Sequence, residues 1–112
     1  MIIPSILISC IILKSSAQIL QLDVGKVQGF DYQTTKGDTA EVYLNIPYAS
    51  PPVENLRFRR PRPAVEWSEI RDGKAFGPVC HPLVKEAVPS GAQASEDCLT
   101  LNIIRPKKQV PI

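Results

Sequence analysis

The chain has 112 residues, and 13 Lys and Arg against 11 Asp and Glu give a net charge of +2. It has room for one small domain at most, and a domain of this size buries roughly 60–65% of its unfolded surface. So small a charge gives no reason to expect a nucleic-acid or membrane-surface partner. With 11 Pro and 6 Gly beside 44% hydrophobic residues, the chain reads as turn-rich but not disordered.

From Met1 to Leu13 there is no charged side chain, and Lys14-Ser15-Ser16-Ala17-Gln18 follows. An apolar-rich run of about a dozen residues is too short for a bilayer core of ~30 Å, which takes ~20. It suits the apolar region of a secretory signal, with Ser15 and Ala17 as the small residues before a cut after Ala17. Residues 1–17 are therefore expected to be a signal peptide and the protein to be secreted. Two features fit less well: no Lys or Arg precedes the run, and Lys14 lies in the usual cleavage region. An uncleaved anchor or a buried strand is the alternative.

Removing the signal removes Cys10 and leaves Cys80 and Cys98. Two cysteines in an oxidising compartment read most simply as one disulfide, with two free thiols as the alternative. In the chain-entropy model, closing such a loop stabilises the fold by about 3 kcal/mol. A zinc site is a poorer reading, because Cys80, His81 and Cys98 offer only three ligands and sequence neighbours rarely bind one ion together.

The mature region opens with Leu20 to Asp23, and Gly25-Lys26 reads as a tight turn. A strand is predicted over 27–34 with Phe30 and Tyr32 on one face, then a hairpin turn at Lys36-Gly37-Asp38, where glycine supplies positive φ. A second strand over 41–46 is expected to place Val42, Leu44 and Ile46 together. The picture is a small antiparallel meander. Pro47 ends regular pairing, and Pro51-Pro52 keeps the chain extended.

Residues 56–63, Leu-Arg-Phe-Arg-Arg-Pro-Arg-Pro, alternate apolar and cationic side chains and then turn polyproline-like. A proline-rich ligand or a basic nucleic-acid patch is a poor reading in a secreted chain of small net charge. The plainer expectation is an extended segment pinned by Leu56 and Phe58, with Trp67 buried nearby. Between the cysteines, residues 81–94 carry no aromatic side chain and little periodicity beyond a turn of helix near 83–88. A compact surface loop tied at its neck fits them.

Ser95-Glu96-Asp97-Cys98-Leu99-Thr100-Leu101-Asn102-Ile103-Ile104-Arg105-Pro106 sets a cysteine and two carboxylates at the entrance of a strand. Leu99, Leu101 and Ile103 alternate with Thr100 and Asn102, the period of a strand with one face on a core. Ile104 interrupts the polar face, which predicts cover on both sides near the strand's end. Glu96 and Asp97 are neighbours on an extended chain and project to opposite sides, so they do not form a catalytic dyad.

Several pieces in order resemble the amino-terminal part of type-B carboxylesterases and cholinesterases. They are Gly25-Lys26-Val27-Gln28-Gly29; Tyr43-Leu44-Asn45-Ile46-Pro47-Tyr48-Ala49; Pro51-Pro52-Val53; Leu56-Arg57-Phe58 with Pro61; Trp67; Phe76-Gly77-Pro78 with Cys80; and Glu96-Asp97-Cys98-Leu99-Thr100-Leu101-Asn102. The resemblance implies an α/β fold of the α/β-hydrolase type, of which residues 18–112 hold only the mostly β amino-terminal portion: the meander, a disulfide loop and an early strand of the central sheet. It implies a Cys80–Cys98 disulfide and an ion pair between Arg57 and Glu96. Glycine is usual in the family where this chain has Asn45 and Glu54. Asn tolerates a left-handed backbone fairly well and Glu poorly, so the turn at Glu54 is expected to be reshaped or to need no positive φ. Cholinesterases stack choline on a tryptophan in the disulfide loop; residues 81–94 have none, so selectivity of that kind is not supported.

Ester hydrolysis in this family needs an oxyanion loop, a Gly-x-Ser-x-Gly elbow and a later acid and histidine. The 112 residues contain no Gly-Gly pair, no such elbow and one histidine, His81, which reads as a loop-surface residue. The expectation is an amino-terminal fragment, a truncated gene model or an early-terminating product of a secreted carboxylic-ester hydrolase, inactive alone. The alternative is a non-catalytic, neuroligin-like adhesion member, for which a protein partner is expected. No cofactor, metal or nucleic acid is implied, and an ester substrate only for the full-length enzyme.

Overall fold

The computed structural model describes residues 18–107; the expected signal peptide at 1–17 lies outside them, as do 108–112. Five strands form one mostly antiparallel sheet: β1 (Gln18–Leu22), β2 (Gly25–Gln33), β3 (Thr39–Pro47), β4 (Ile70–Asp72) and β5 (Thr100–Pro106). Their order is β1-β2-β3-β5, with β4 lying parallel to the start of β2. Single 3₁₀ turns occur at Glu54–Leu56 and Lys85–Ala87, the second within the stretch where a helical turn is expected.

The first turn sits two residues earlier than predicted. Asp23 and Val24 make it, and Gly25 already pairs with Leu22 as the first residue of β2. Gly25 is required there for two reasons. Its φ is +153°, and a Cβ would overlap the Trp67 indole, which lies against the turn. Trp67 is fixed by its backbone N–H donating to Val24 O and its ring Nε1–H donating to Lys26 O, both at 2.9 Å.

β2 divides its pairing: residues 25–29 pair with β1, 26–28 of them also with β4, and 30–33 run along β3. Its core face is not the predicted one. Val27 and Gly29 are buried, whereas Phe30 is half-buried and Tyr32 is 55% exposed. The cause is Tyr43, whose ring lies where a side chain at position 29 would stand. The larger ring takes the core, and the aromatic face of β2 turns outward.

β3 departs from simple alternation in the same region. Its register with β5 shifts between Tyr43 and Ile46, where Tyr43 pairs with Ile103 and Ile46 with Leu101. Leu44 and Asn45 thus stand opposite the one residue Asn102, a β-bulge. Asn45 takes φ +57°, and its N–H donates to Asn102 Oδ1 at 3.0 Å. The extra residue turns Ile46 to the side of Tyr43 and away from Val42 and Leu44, correcting the expected trio. Val27, Tyr43 and Ile46 form the core cluster, with Leu20, Leu22, Trp67 and Ile103 packed against it. Val42 and Leu44 are buried on the other side of β3.

Three more expectations change. Trp67 packs on this cluster and not beside Leu56 and Phe58; Phe58 is fully exposed, and of the two only Leu56 is half-buried. Glu54 does adopt the left-handed backbone, with φ +51°. Ile104 is 68% exposed, because β5 pairs only with β3 among the described residues and nothing covers its outer face there. Across that pair Arg105 Nε donates to Glu41 Oε2 at 2.5 Å, and its guanidinium lies 5.5 Å from the Tyr43 ring centre. The Glu41 hydrogen bond holds the Arg105 pKa above its ordinary value.

Candidate functional site

Glu96 leads into the strand entrance and Arg57 closes the 3₁₀ turn of Glu54–Leu56, so two distant stretches meet at the neck of the 81–97 loop. Cys80 and Cys98 are joined by a disulfide with Cα atoms 5.1 Å apart. Arg57 Nε lies 3.1 Å from Glu96 Oε1, with the two side chains 55% and 39% exposed. All four residues border one shallow hollow of about 250 Å³, together with Pro52, Phe58, His81 and Ser95. The structure thus brings the four residues named from the resemblance to one place.

Backbone pairing beneath the disulfide was not legible in the sequence. Val79 N–H donates to Gln93 O at 2.8 Å, Ser95 N–H donates to Val79 O at 2.9 Å, and Val79 and Ala94 form an isolated parallel bridge. No alternation marks 92–95, so the only signal was the cysteine pair beside them. The loop is therefore held twice, by a covalent bond and by a short ladder. Above the neck Leu83, Val84, Lys85 and Glu86 are exposed among the described residues.

The two carboxylates separate as the extended backbone requires. Glu96 borders the hollow of Arg57 and His81, and Asp97 borders another of about 290 Å³ with Asn45, Pro47, Trp67 and Arg71. They share no reaction space. His81 is exposed on the loop, beside a cysteine already bonded to Cys98. Among the described residues no group of three or more His, Cys, Asp or Glu side chains is placed to hold a metal ion. No helix there is long and apolar enough to cross a membrane. What the arrangement does chemically is to tie: a cross-link, an ion pair and a backbone ladder fix one loop to one strand entrance.

The model of the carboxylesterase family matches residues 16–111, and the chain belongs to that family. It is 38% identical over 97 residues to gut esterase 1 of Caenorhabditis briggsae, covering 84% of this chain and 16% of that protein. Fumonisin B1 esterase of Sphingopyxis macrogoltabida is 44% identical over 87 residues, 75% of this chain and 15% of its own length. Cholinesterase of Mus musculus is 32% identical over 94 residues, 76% of this chain and 15% of the enzyme. The chain spans less than a fifth of the length of each of these relatives.

Proposed function

We propose that residues 18–112 are the amino-terminal part of the catalytic domain of a secreted carboxylic-ester hydrolase, with 1–17 as its signal peptide. The observation that carries this reading is the family match over 16–111, together with relatives that are esterases by name. The domain would be of the α/β-hydrolase type. Its nucleophile, base, acid and oxyanion donors would lie in the remainder of the protein, since the 112 residues offer no Gly-x-Ser-x-Gly and no histidine but His81.

In this reading the segment contributes rigidity to the enzyme. Cys80, Cys98, Arg57 and Glu96 brace the loop neck, so that β5 enters the rest of the sheet in a fixed register. Acyl transfer depends on holding reacting groups in place, and scaffold strands do that at a distance. The substrate class is a carboxylic ester. The aromatic-free loop 81–94 argues against a choline ester held by a loop tryptophan.

The test is expression of the complete coding sequence in a secreting host. Material in the medium should begin at Gln18 and hydrolyse a short-chain p-nitrophenyl ester. Replacing the serine of a downstream Gly-x-Ser-x-Gly by alanine should abolish turnover. A complete coding sequence lacking that elbow, or a protein bearing it that hydrolyses no simple ester, would overturn the reading.

A further inference from the structure

The segment after the 3₁₀ turn of Glu54–Leu56 carries four arginines within six residues, and the structure separates them into two kinds. Arg57 faces Glu96. Arg59, Arg60 and Arg62 are exposed and take part in none of the ion pairs among the described residues. These three border one hollow of about 580 Å³ whose remaining wall is Asn55, Leu56 and Pro61. Among the described residues no carboxylate lines it. Three cations share a concave surface without an ion-pair partner among the described residues.

Their backbone is fixed before any ligand arrives. Ser50 N–H donates to Arg62 O at 3.0 Å, Ser50 Oγ donates to Pro63 O at 2.6 Å, and Arg59 N–H donates to Leu56 O at 3.2 Å. Pro61 and Pro63 lock their own φ angles. The arginines therefore stand on a braced base, and binding would order only their side chains.

We propose that this hollow is a docking site for a sulfated polysaccharide, a function beyond ester hydrolysis. Guanidinium groups donate paired hydrogen bonds to oxyanions, and a sulfate ester presents the oxygens to accept them. A chain of sulfates can engage several arginines where one small anion engages one or two. The wall offers no ring on which a base would stack, which disfavours single-stranded nucleic acid. Phe58, the fully exposed aromatic beside the cluster, borders the hollow of Cys80 and His81 instead, and Leu56 in the arginine hollow is half-buried, which disfavours a lipid surface that needs an exposed apolar face beside its cations.

The experiment uses the full-length protein on immobilised heparin with a salt gradient. Retention at about 0.15 M salt is expected, with elution as the gradient screens the contacts. The triple variant Arg59→Ala, Arg60→Ala, Arg62→Ala should bind at least about tenfold more weakly. The double variant Lys36→Ala, Lys85→Ala removes exposed cations elsewhere and should elute with the parent protein. Hyaluronan, which carries carboxylates and no sulfate, should not retain the protein, and phosphatidylserine vesicles should not sediment it. In the unsubstituted protein, heparin should slow phenylglyoxal modification of Arg59, Arg60 and Arg62, a readout independent of how the variants fold. Equal weakening in the two variants, no protection of the three arginines, or binding to vesicles without binding to heparin would overturn the proposal.

Discussion

Three side chains hold backbone conformations that glycine would hold at lower cost: Asn45, Glu54 and Phe58, the last at φ +57°. Asn45 at φ +57° and Glu54 at φ +51° stand where the left-handed region disfavours a Cβ. They differ in what they gain. Asn45 sits in the bulge with Asn102 receiving its N–H, and its side chain reaches Gly77, where an added Cβ would overlap it. Glu54 is exposed and makes no side-chain hydrogen bond or ion pair among the described residues. Glu54→Gly should therefore stabilise the full-length protein, by up to about 1 kcal/mol after the added entropy of the unfolded chain is subtracted. Asn45→Val should destabilise it by about 1–3 kcal/mol, because a β-branched residue fits this φ poorly. Denaturant midpoints measure both. Arg57→Ala should cost under about 1 kcal/mol, since the pair with Glu96 is about half solvent-exposed. A larger loss would mean that other parts of the full-length protein bury the pair.

At the scale of elements, β2, β3, β5 and the hairpin joining the first two were legible from alternation and turn residues; β1, the three-residue parallel strand β4 and the facing of the strands were not. Alternation shows that a strand has two sides, yet in β2 the odd positions Val27 and Gly29, and not the larger aromatics Phe30 and Tyr32, turn inward because Tyr43 needs the room above Gly29. One inserted residue in β3 then reverses the sense of everything after it. Neither effect is local to the strand that shows it, so neither has a signature in a short window. The cysteine pair was legible from the cysteine count as well as from the resemblance, whereas Arg57–Glu96 was legible only through the resemblance, because nothing in residues 56–58 alone points to 96. The loop gives the sharpest test at this scale. Cys80→Ser with Cys98→Ser should lower stability by about 3 kcal/mol in the chain-entropy account. The ladder of Val79 with Gln93 and Ser95 should survive as residual amide protection at the neck. Loss of that protection together with the disulfide would show that the covalent bond alone holds the loop.

For the whole molecule, the sheet is unevenly finished. β3 is buried on both sides, and one strand away Leu101 and Ile104 of β5 are 39% and 68% exposed. β5 pairs with β3 alone among the described residues, so its other edge presents free N–H and C=O groups beside apolar side chains. Expressed by itself, the 112-residue chain should self-associate. Leu101→Lys with Ile104→Lys should shift its sedimentation towards monomer, as charges on an edge strand discourage pairing between chains. If the chain alone sediments as a monomer with strong amide protection across β5, the apolar edge is no liability.

The loop that joins Cys80 to Cys98 also decides what a protease can do to this protein. Lys85 is exposed in the 3₁₀ turn of the loop, five residues past Cys80 and well before Cys98. Trypsin cutting after Lys85 would open the chain and leave both halves joined through the disulfide and held by the ladder at the neck. The nicked protein should run as one species on a non-reducing gel and as two once a thiol is added. A cut here is thus a covalent mark that leaves the molecule assembled, and only reduction reveals it.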